Sequence, residues 1–292
     1  MPRGAEDEDS GPDHRAAVNN DTSTAAAGGA GADPASAEEV LVEDRGAVRV
    51  LTLNRPDRLN AWTIPMQNRY FALLEEADHD PGIRAIVLTG AGRGFSAGAD
   101  IAALANADSD NYTPPERPWS LPIQLRKPVI AAINGSVAGL GLVAALFADV
   151  RFAAADAKFT TAFSKRGLIA EHGIAWLLPK LTGVSAALDL LLSARTFTGT
   201  EAHALGLVNR VTDREEVLEA AVSYARTLVA ECSPASMAEI KQQIYTGLDS
   251  GLDAATADAD KRMISAFDRP DSSEGVHSYL EGRPPEFPPI AD

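Results

Sequence analysis

The chain has one cysteine, Cys232, in 292 residues, few aromatic side chains (6%), and fewer cations than anions, 26 Lys and Arg against 41 Asp and Glu. A lone cysteine excludes an internal disulfide framework and fits a reducing cytoplasm, the expected location. A formal net charge of −15 repels phosphate, so nucleic acid is not expected as a partner. Any anionic ligand needs a local basic patch. The first forty residues lack the basic-then-apolar layout of a secretory signal. An uncharged run, Val129 to Ala148, is about long enough to cross a bilayer. Asn134-Gly135, Gly139 and Gly141 interrupt it, so it reads as strand, turn and buried helix, and no membrane span is expected.

What is present describes a soluble globule, with 45% apolar and 23% charged residues. Residues 1–39 hold nine Asp and Glu against Arg3 and Arg15, with almost no large apolar side chain. Such a tail cannot bury enough surface to offset its ordering entropy and is expected to be disordered. Apolar strands are expected at 47–54, 83–90, 127–134 and 205–211, with two short ones in 149–161. Helical spacing marks 64–80, 173–181 and 185–193, and residues 214–280 read as all-helical. Residues 106–118, rich in Asn, Asp and Pro, read as a surface loop. The layout is an α/β core (40–211) with a helical C-terminal extension (212–292).

Two motifs fail on inspection. "GAGRGF" (90–95) begins like a dinucleotide fingerprint, but position 95 is Phe where the third glycine belongs. "GFSAG" (94–98) matches a hydrolase nucleophile elbow, yet Ser96 is separated from its strand, so a serine hydrolase is a remote alternative. What remains is a pair of glycine loops, each following a buried strand and starting a helix, "FSAGADI" (95–101) and "NGSVAGLGLV" (134–143). Backbone N–H groups from two loops converging on one oxygen make an oxyanion hole without any side chain.

With "LNRPDRLNAW" (53–62), "IVLTGAGRGFSAGADI" (86–101), "KPVIAAINGSVAGLGLVAALFADVRFA" (127–153), "FTGTEAHALGLVNRV" (197–211) and "EGVHSYLEGRPP" (274–285), the chain resembles the crotonase (enoyl-CoA hydratase/isomerase) superfamily over about residues 40–285. The resemblance implies a ββα spiral core, a trimer or hexamer assembled through the helical region 212–292, and an acyl-CoA thioester substrate with no separate cofactor and no metal. It implies that Ala99 and Leu140 supply the oxyanion N–H groups. It places Arg58 and Ala61 along the pantetheine, with Ala97, Asp100 and Ile101 around the adenine. The family's C-terminal lysine position is Gly282 here, which leaves Arg283 for the phosphates.

The hydratases of the family carry two glutamates, and this chain has Val143 and Phe163 in those places. Glu171 matches instead the single glutamate of peroxisomal-type enoyl-CoA isomerases. A glutamate at a helix start also has a plain explanation in the helix dipole. An apolar pocket of Leu140, Val143 and Phe163, with Trp119 and Trp176 near it, would make one carboxylate a better base for a C–H proton. The expected reaction is a 1,3-proton shift on a 3-enoyl-CoA. A hydratase using Glu171 and a non-catalytic acyl-CoA-binding protein are the alternatives. Asp149 and Asp156 read as structural, His172 as an exposed helix-start residue, and Thr200 as an N-cap.

Overall fold

The apolar runs at 48–53, 85–90, 129–133 and 150–154 become adjacent strands whose side chains are almost entirely buried. The computed structural model describes residues 39–105 and 114–290. The tail before Glu39 and the loop segment 106–113 lie outside the described residues. Glu39, expected in the tail, belongs to the fold: its carbonyl accepts from Asn54 N, and its carboxylate accepts from Thr63 Oγ1 and pairs with Arg55.

The strands are β1 (Val40–Asp44), β2 (Val48–Leu53), β3 (Ala85–Gly90), β4 (Gly94–Ser96), β5 (Val129–Ile133), β6 (Ser136–Ala138), β7 (Val150–Ala154), β8 (Lys158–Thr160), β9 (Phe197–Thr198) and β10 (Arg210–Thr212). Among the described residues they form two sheets. The larger runs β1-β2-β3-β5-β7-β10 and is parallel except for the β1–β2 pair; the smaller runs β4-β6-β8-β9 and is antiparallel only at β8–β9. A parallel strand covered on both faces reads as a continuous apolar run, as β3 and β5 do.

Helices α1 (Ile64–His79), α2 (Ile101–Ala105), α3 (Leu121–Gln124), α4 (Leu140–Leu146), α5 (Ile174–Thr182), α6 (Val184–Ser193) and α7 (Gly199–Ala204) follow or connect the strands. The chain closes with α8 (Val217–Glu231), α9 (Pro234–Gly247), α10 (Leu252–Phe267) and α11 (Pro270–Glu281). The repeating unit is a strand of the large sheet, a short strand of the small sheet and a helix: β3, β4, α2, then β5, β6, α4. This is the ββα spiral.

Several local expectations change. β4 and β6 stand where only glycine turns were read, and the strand read at 205–211 begins only at Arg210 and ends at Thr212. The N-cap of α7 is Thr198, whose Oγ1 accepts from Glu201 N, and not Thr200. α8 packs on β2, β3, β5 and β7, burying Val217, Ala221, Val222 and Ala225, so this part of the C-terminal region closes the core.

Buried charge ties α9 to the sheet. Lys241 Nζ donates to Pro122 O, Lys127 O and Asp149 Oδ2, while Tyr245 Oη donates to Asp149 Oδ1. Asp149 Oδ2 also accepts from Val129 N, and Asp156 pairs with Arg214, so both aspartates are structural.

Candidate active site

Two close backbone contacts set the site. A Cβ on Gly141 would lie 2.6 Å from Ser96 Cβ, so α4 rests directly on the end of β4. A Cβ on Gly98 would lie 2.9 Å from Ala138 O and 3.4 Å from Leu140 N, and Gly98 has a φ of 97°, in the left-handed region. Only glycine meets both demands. Between these contacts the two loops are held side by side, bringing the backbone of Ala99 next to that of Leu140.

Both amides keep their hydrogens unused. Trp62 pairs across Ala99 through Gly98 O and Asp100 N, which leaves Ala99 N out of the bridge. Leu140 is the first residue of α4, so its N–H has no partner within the helix. Neither N–H donates to an acceptor among the described residues.

Asn60 knits the loop of residues 55–62 into this frame. It is fully buried, and its Nδ2 donates to Ala91 O and Gly94 O while Oδ1 accepts from Arg55 N. Leu59 and Asn60 are both left-handed, at φ 49° and 55°. Ser96 Oγ donates to Asn60 O at 2.8 Å and accepts from Gly98 N. Ser96 is itself wholly buried, so it serves as a structural hydroxyl and the serine-hydrolase alternative falls.

A narrow cleft of about 40 Å³ opens beside the two amides. Of the expected residues, Ala97, Ala99, Ile101, Leu140, Phe163 and Glu171 line it. Val143 does not, because the third residue after Leu140 turns into the core and is entirely buried. Ala61 and Asp100 stand behind the cleft: the Arg55 guanidinium donates to Ala61 O and to Asp100 Oδ2. The Ala102 N–H, and then Arg55, hold the Asp100 carboxyl below its ordinary pKa. Arg58 is exposed on the same loop. Arg283 is not at the cleft; its guanidinium pairs with Glu274 and Glu281.

Arg166, Leu104 and Leu168 also line the cleft and were missed. Arg166 ends a single 3-10 turn (Ser164–Arg166), and its side chain has no hydrogen bond or ion pair among the described residues. Its only trace in the sequence is a cation between the two candidate positions Phe163 and Glu171.

Among the described residues, Glu171 is the one carboxylate on the cleft wall. No side-chain hydrogen bond reaches it among the described residues, and burial raises its pKa above the ordinary glutamate value. His172 Nε2 lies 4.0 Å from Glu171 Oε2, beyond hydrogen-bonding range. His172 is not exposed as expected: burial lowers its pKa, and its ring lies 6.0 Å from that of Trp119. His172 and Gly173 are both left-handed, at φ 53° and 84°, a conformation that costs a non-glycine residue about 1–3 kcal/mol. That turn brings the Glu171 segment to the cleft before α5 begins. Trp119 packs against Trp62, Tyr70 and Phe71, and Trp176 donates its indole N–H to Asp249; neither lines this cleft.

The model of the enoyl-CoA hydratase/isomerase family matches residues 43–289. A 1,2-epoxyphenylacetyl-CoA isomerase of Escherichia coli K12 is 36% identical, covering 86% of this chain and 98% of its own length. The crystal structure of a probable enoyl-CoA hydratase/isomerase from Mycobacterium abscessus is similar at TM-score 0.81 and 31% identity, covering 86% of this chain and 99% of that one. That of an enoyl-CoA hydratase from Mycobacterium marinum is 51% identical at TM-score 0.63, covering 71% of this chain and 97% of that one.

Proposed function

This chain belongs to the enoyl-CoA hydratase/isomerase family within the crotonase superfamily and is an enzyme of it, and from that premise we propose that it shifts the double bond of a 3-enoyl-CoA to the 2-position. The observation that carries the reading is the single desolvated carboxylate, Glu171, on a cleft wall that also holds Ala99 and Leu140. With Val143 in the core and Phe163 apolar, no second carboxylate among the described residues lines that wall to help Glu171 activate a water.

In the proposed reaction the thioester oxygen accepts from Ala99 N–H and Leu140 N–H. Glu171 removes a proton from C2, and the electron pair spreads over a dienolate whose oxygen those two donors stabilise. The protonated Glu171 then delivers the same proton to C4, leaving the double bond between C2 and C3. Coenzyme A enters as part of the substrate, and the chemistry calls for neither a separate cofactor nor a metal. Ala97 and Ile101 flank the adenine, with Asp100 and Ala61 bracing them through Arg55, while Arg58 and Arg166 supply the positive charge that an acidic protein needs near phosphates. Hydration of a 2-enoyl-CoA by Glu171 is the second reading, favoured by the names of relatives such as the probable enoyl-CoA hydratase of Bacillus subtilis.

The test is Glu171→Gln, which keeps size and removes the base. Isomerisation of a 3-enoyl-CoA should fall about 10²-fold or more while acyl-CoA still binds, because the backbone donors remain. Turnover near the wild-type rate would remove Glu171 from the mechanism. Assay of 2-enoyl- beside 3-enoyl-CoA separates the two readings.

A further inference from the structure

On the far side of the Glu171–Gly173 turn lies a second, larger chamber, open to solvent on one side, of about 570 Å³. Its walls are mostly rigid and apolar, among them Pro114, Pro118, Trp119, Ile123, Phe147 and Trp176. His172 and Gly173 line it as well, whereas Glu171, one residue earlier, lines the catalytic cleft. The imidazole spans the partition, with Nε2 4.0 Å from the Glu171 carboxylate and its ring 6.0 Å from Trp119. The chamber and the cleft share no lining residue, and the chamber ends one residue from the base, at His172.

The walls are held from behind. Trp176 is fixed through its indole N–H to Asp249 and by Lys180 Nζ, 4.7 Å from its ring centre. Trp119 meets Trp62 and Phe71 edge to face, at 4.9 and 5.2 Å between ring centres. A Cβ on Gly173 would lie 3.3 Å from Phe147 Cζ, so the partition sits against that ring. A straight chain fills a narrow tunnel well, but across a wide chamber with fixed flat walls it leaves gaps and loses rotamer freedom. A ring system is already rigid and offers faces and edges to tryptophan, phenylalanine and proline.

We propose that this chamber receives the distal part of the acyl group and that the enzyme's substrates are thioesters of compact ring-bearing acids, aromatic or alicyclic, in preference to straight-chain acids of equal carbon number. This rests on the acyl-CoA reading of the cleft, with the thioester at Ala99 and Leu140 and the acyl group passing Glu171 and His172.

The test is calorimetry on the full chain with thioesters that carry no alkene to isomerise: naphthylacetyl-CoA, dodecanoyl-CoA of equal carbon number, and butanoyl-CoA. Naphthylacetyl-CoA should bind about tenfold more tightly than dodecanoyl-CoA, although the latter carries more flexible apolar surface. Equal or tighter binding of dodecanoyl-CoA overturns the proposal, with no variant needed. In Ile123→Trp, which fills the chamber, the preference for naphthylacetyl- over butanoyl-CoA should drop about tenfold. An unchanged preference, or a change in oligomeric mass alone, would show that the chamber serves something other than the acyl group. Ring preference without 3-enoyl-CoA isomerisation would support the chamber and refute the isomerase reading.

Discussion

Gly141 and Ser96 touch so closely that no side chain fits between them: a Cβ on Gly141 would come within 2.6 Å of both Ser96 Cβ and Ser96 O. This contact sets the spacing between the Ala99 and Leu140 amides. Gly141→Ala must push α4 away from β4, at a cost of about 1–3 kcal/mol from overpacking. In the proposed mechanism the thioester oxygen would then lose one of its two donors, and kcat should fall about 10²-fold, as expected for loss of an oxyanion contact. Thermal melting and single-turnover kinetics together check it. A destabilised variant with normal kcat would show that the alignment does not depend on this contact.

The raised pKa of Glu171 has two consequences of defined sign. As the proposed base it acts deprotonated, so kcat should climb with pH through a value above the ordinary glutamate range and then level off. For stability, a carboxyl whose folded pKa is raised contributes fully below the unfolded pKa of about 4.3 and loses that contribution as pH rises through the folded value. Glu171→Gln should therefore melt higher than wild type at pH about 8, the difference vanishing near pH about 3. An identical difference at both pH values would show that Glu171 is not desolvated.

Three arginines differ in how committed they are. Arg58 and Arg166 have no ion pair among the described residues, whereas two carboxylates already neutralise Arg283, drawing the Glu274 carboxyl down to a pKa of about 2. Replacement of Arg58 or Arg166 by Ala should weaken binding of a CoA thioester about fivefold more than that of a pantetheine thioester. Arg283→Ala should discriminate less. The reverse order, read by calorimetry, would restore Arg283 as the phosphate anchor.

Self-association should follow from the helices. Val184, Leu188 and Leu192 form an exposed stripe at four-residue spacing on α6, and Ile264, Phe267, Tyr279 and Leu280 are exposed on α10 and α11. Light scattering should give three or six times the mass of the chain, and Phe267→Asp together with Leu192→Asp should lower it. A wild-type monomer at micromolar concentration contradicts the assembly.

Much of this was legible before any coordinates. The central strands announce themselves because burial on both faces demands unbroken apolar runs, as in "AIVLTG" and "VIAAI". That Ala99, Leu140 and Glu171 share one cleft was legible through glycine loops and motif resemblance. β4 and β6 were not, because three residues are too few for alternation to register and their partners lie about forty residues away. Val143 was misplaced because a linear motif does not say which side of a short helix faces the ligand. Arg166 escaped because one of two adjacent cations, Lys165 and Arg166, looks like any solvated side chain. His172 looked exposed because its left-handed backbone, which turns the ring inward, leaves no mark in composition.

The helix that seals the large sheet is made late. Residues 217–231 cover strands that begin at Val48, so the nascent chain carries an uncovered apolar sheet face until most of its length has left the ribosome. Long-range closure of this kind is slow and exposes the intermediate to aggregation. Overproduction at reduced temperature or with added chaperone should therefore raise the soluble yield, and a ribosome stalled before residue 217 should hold a chain that is protease-sensitive throughout.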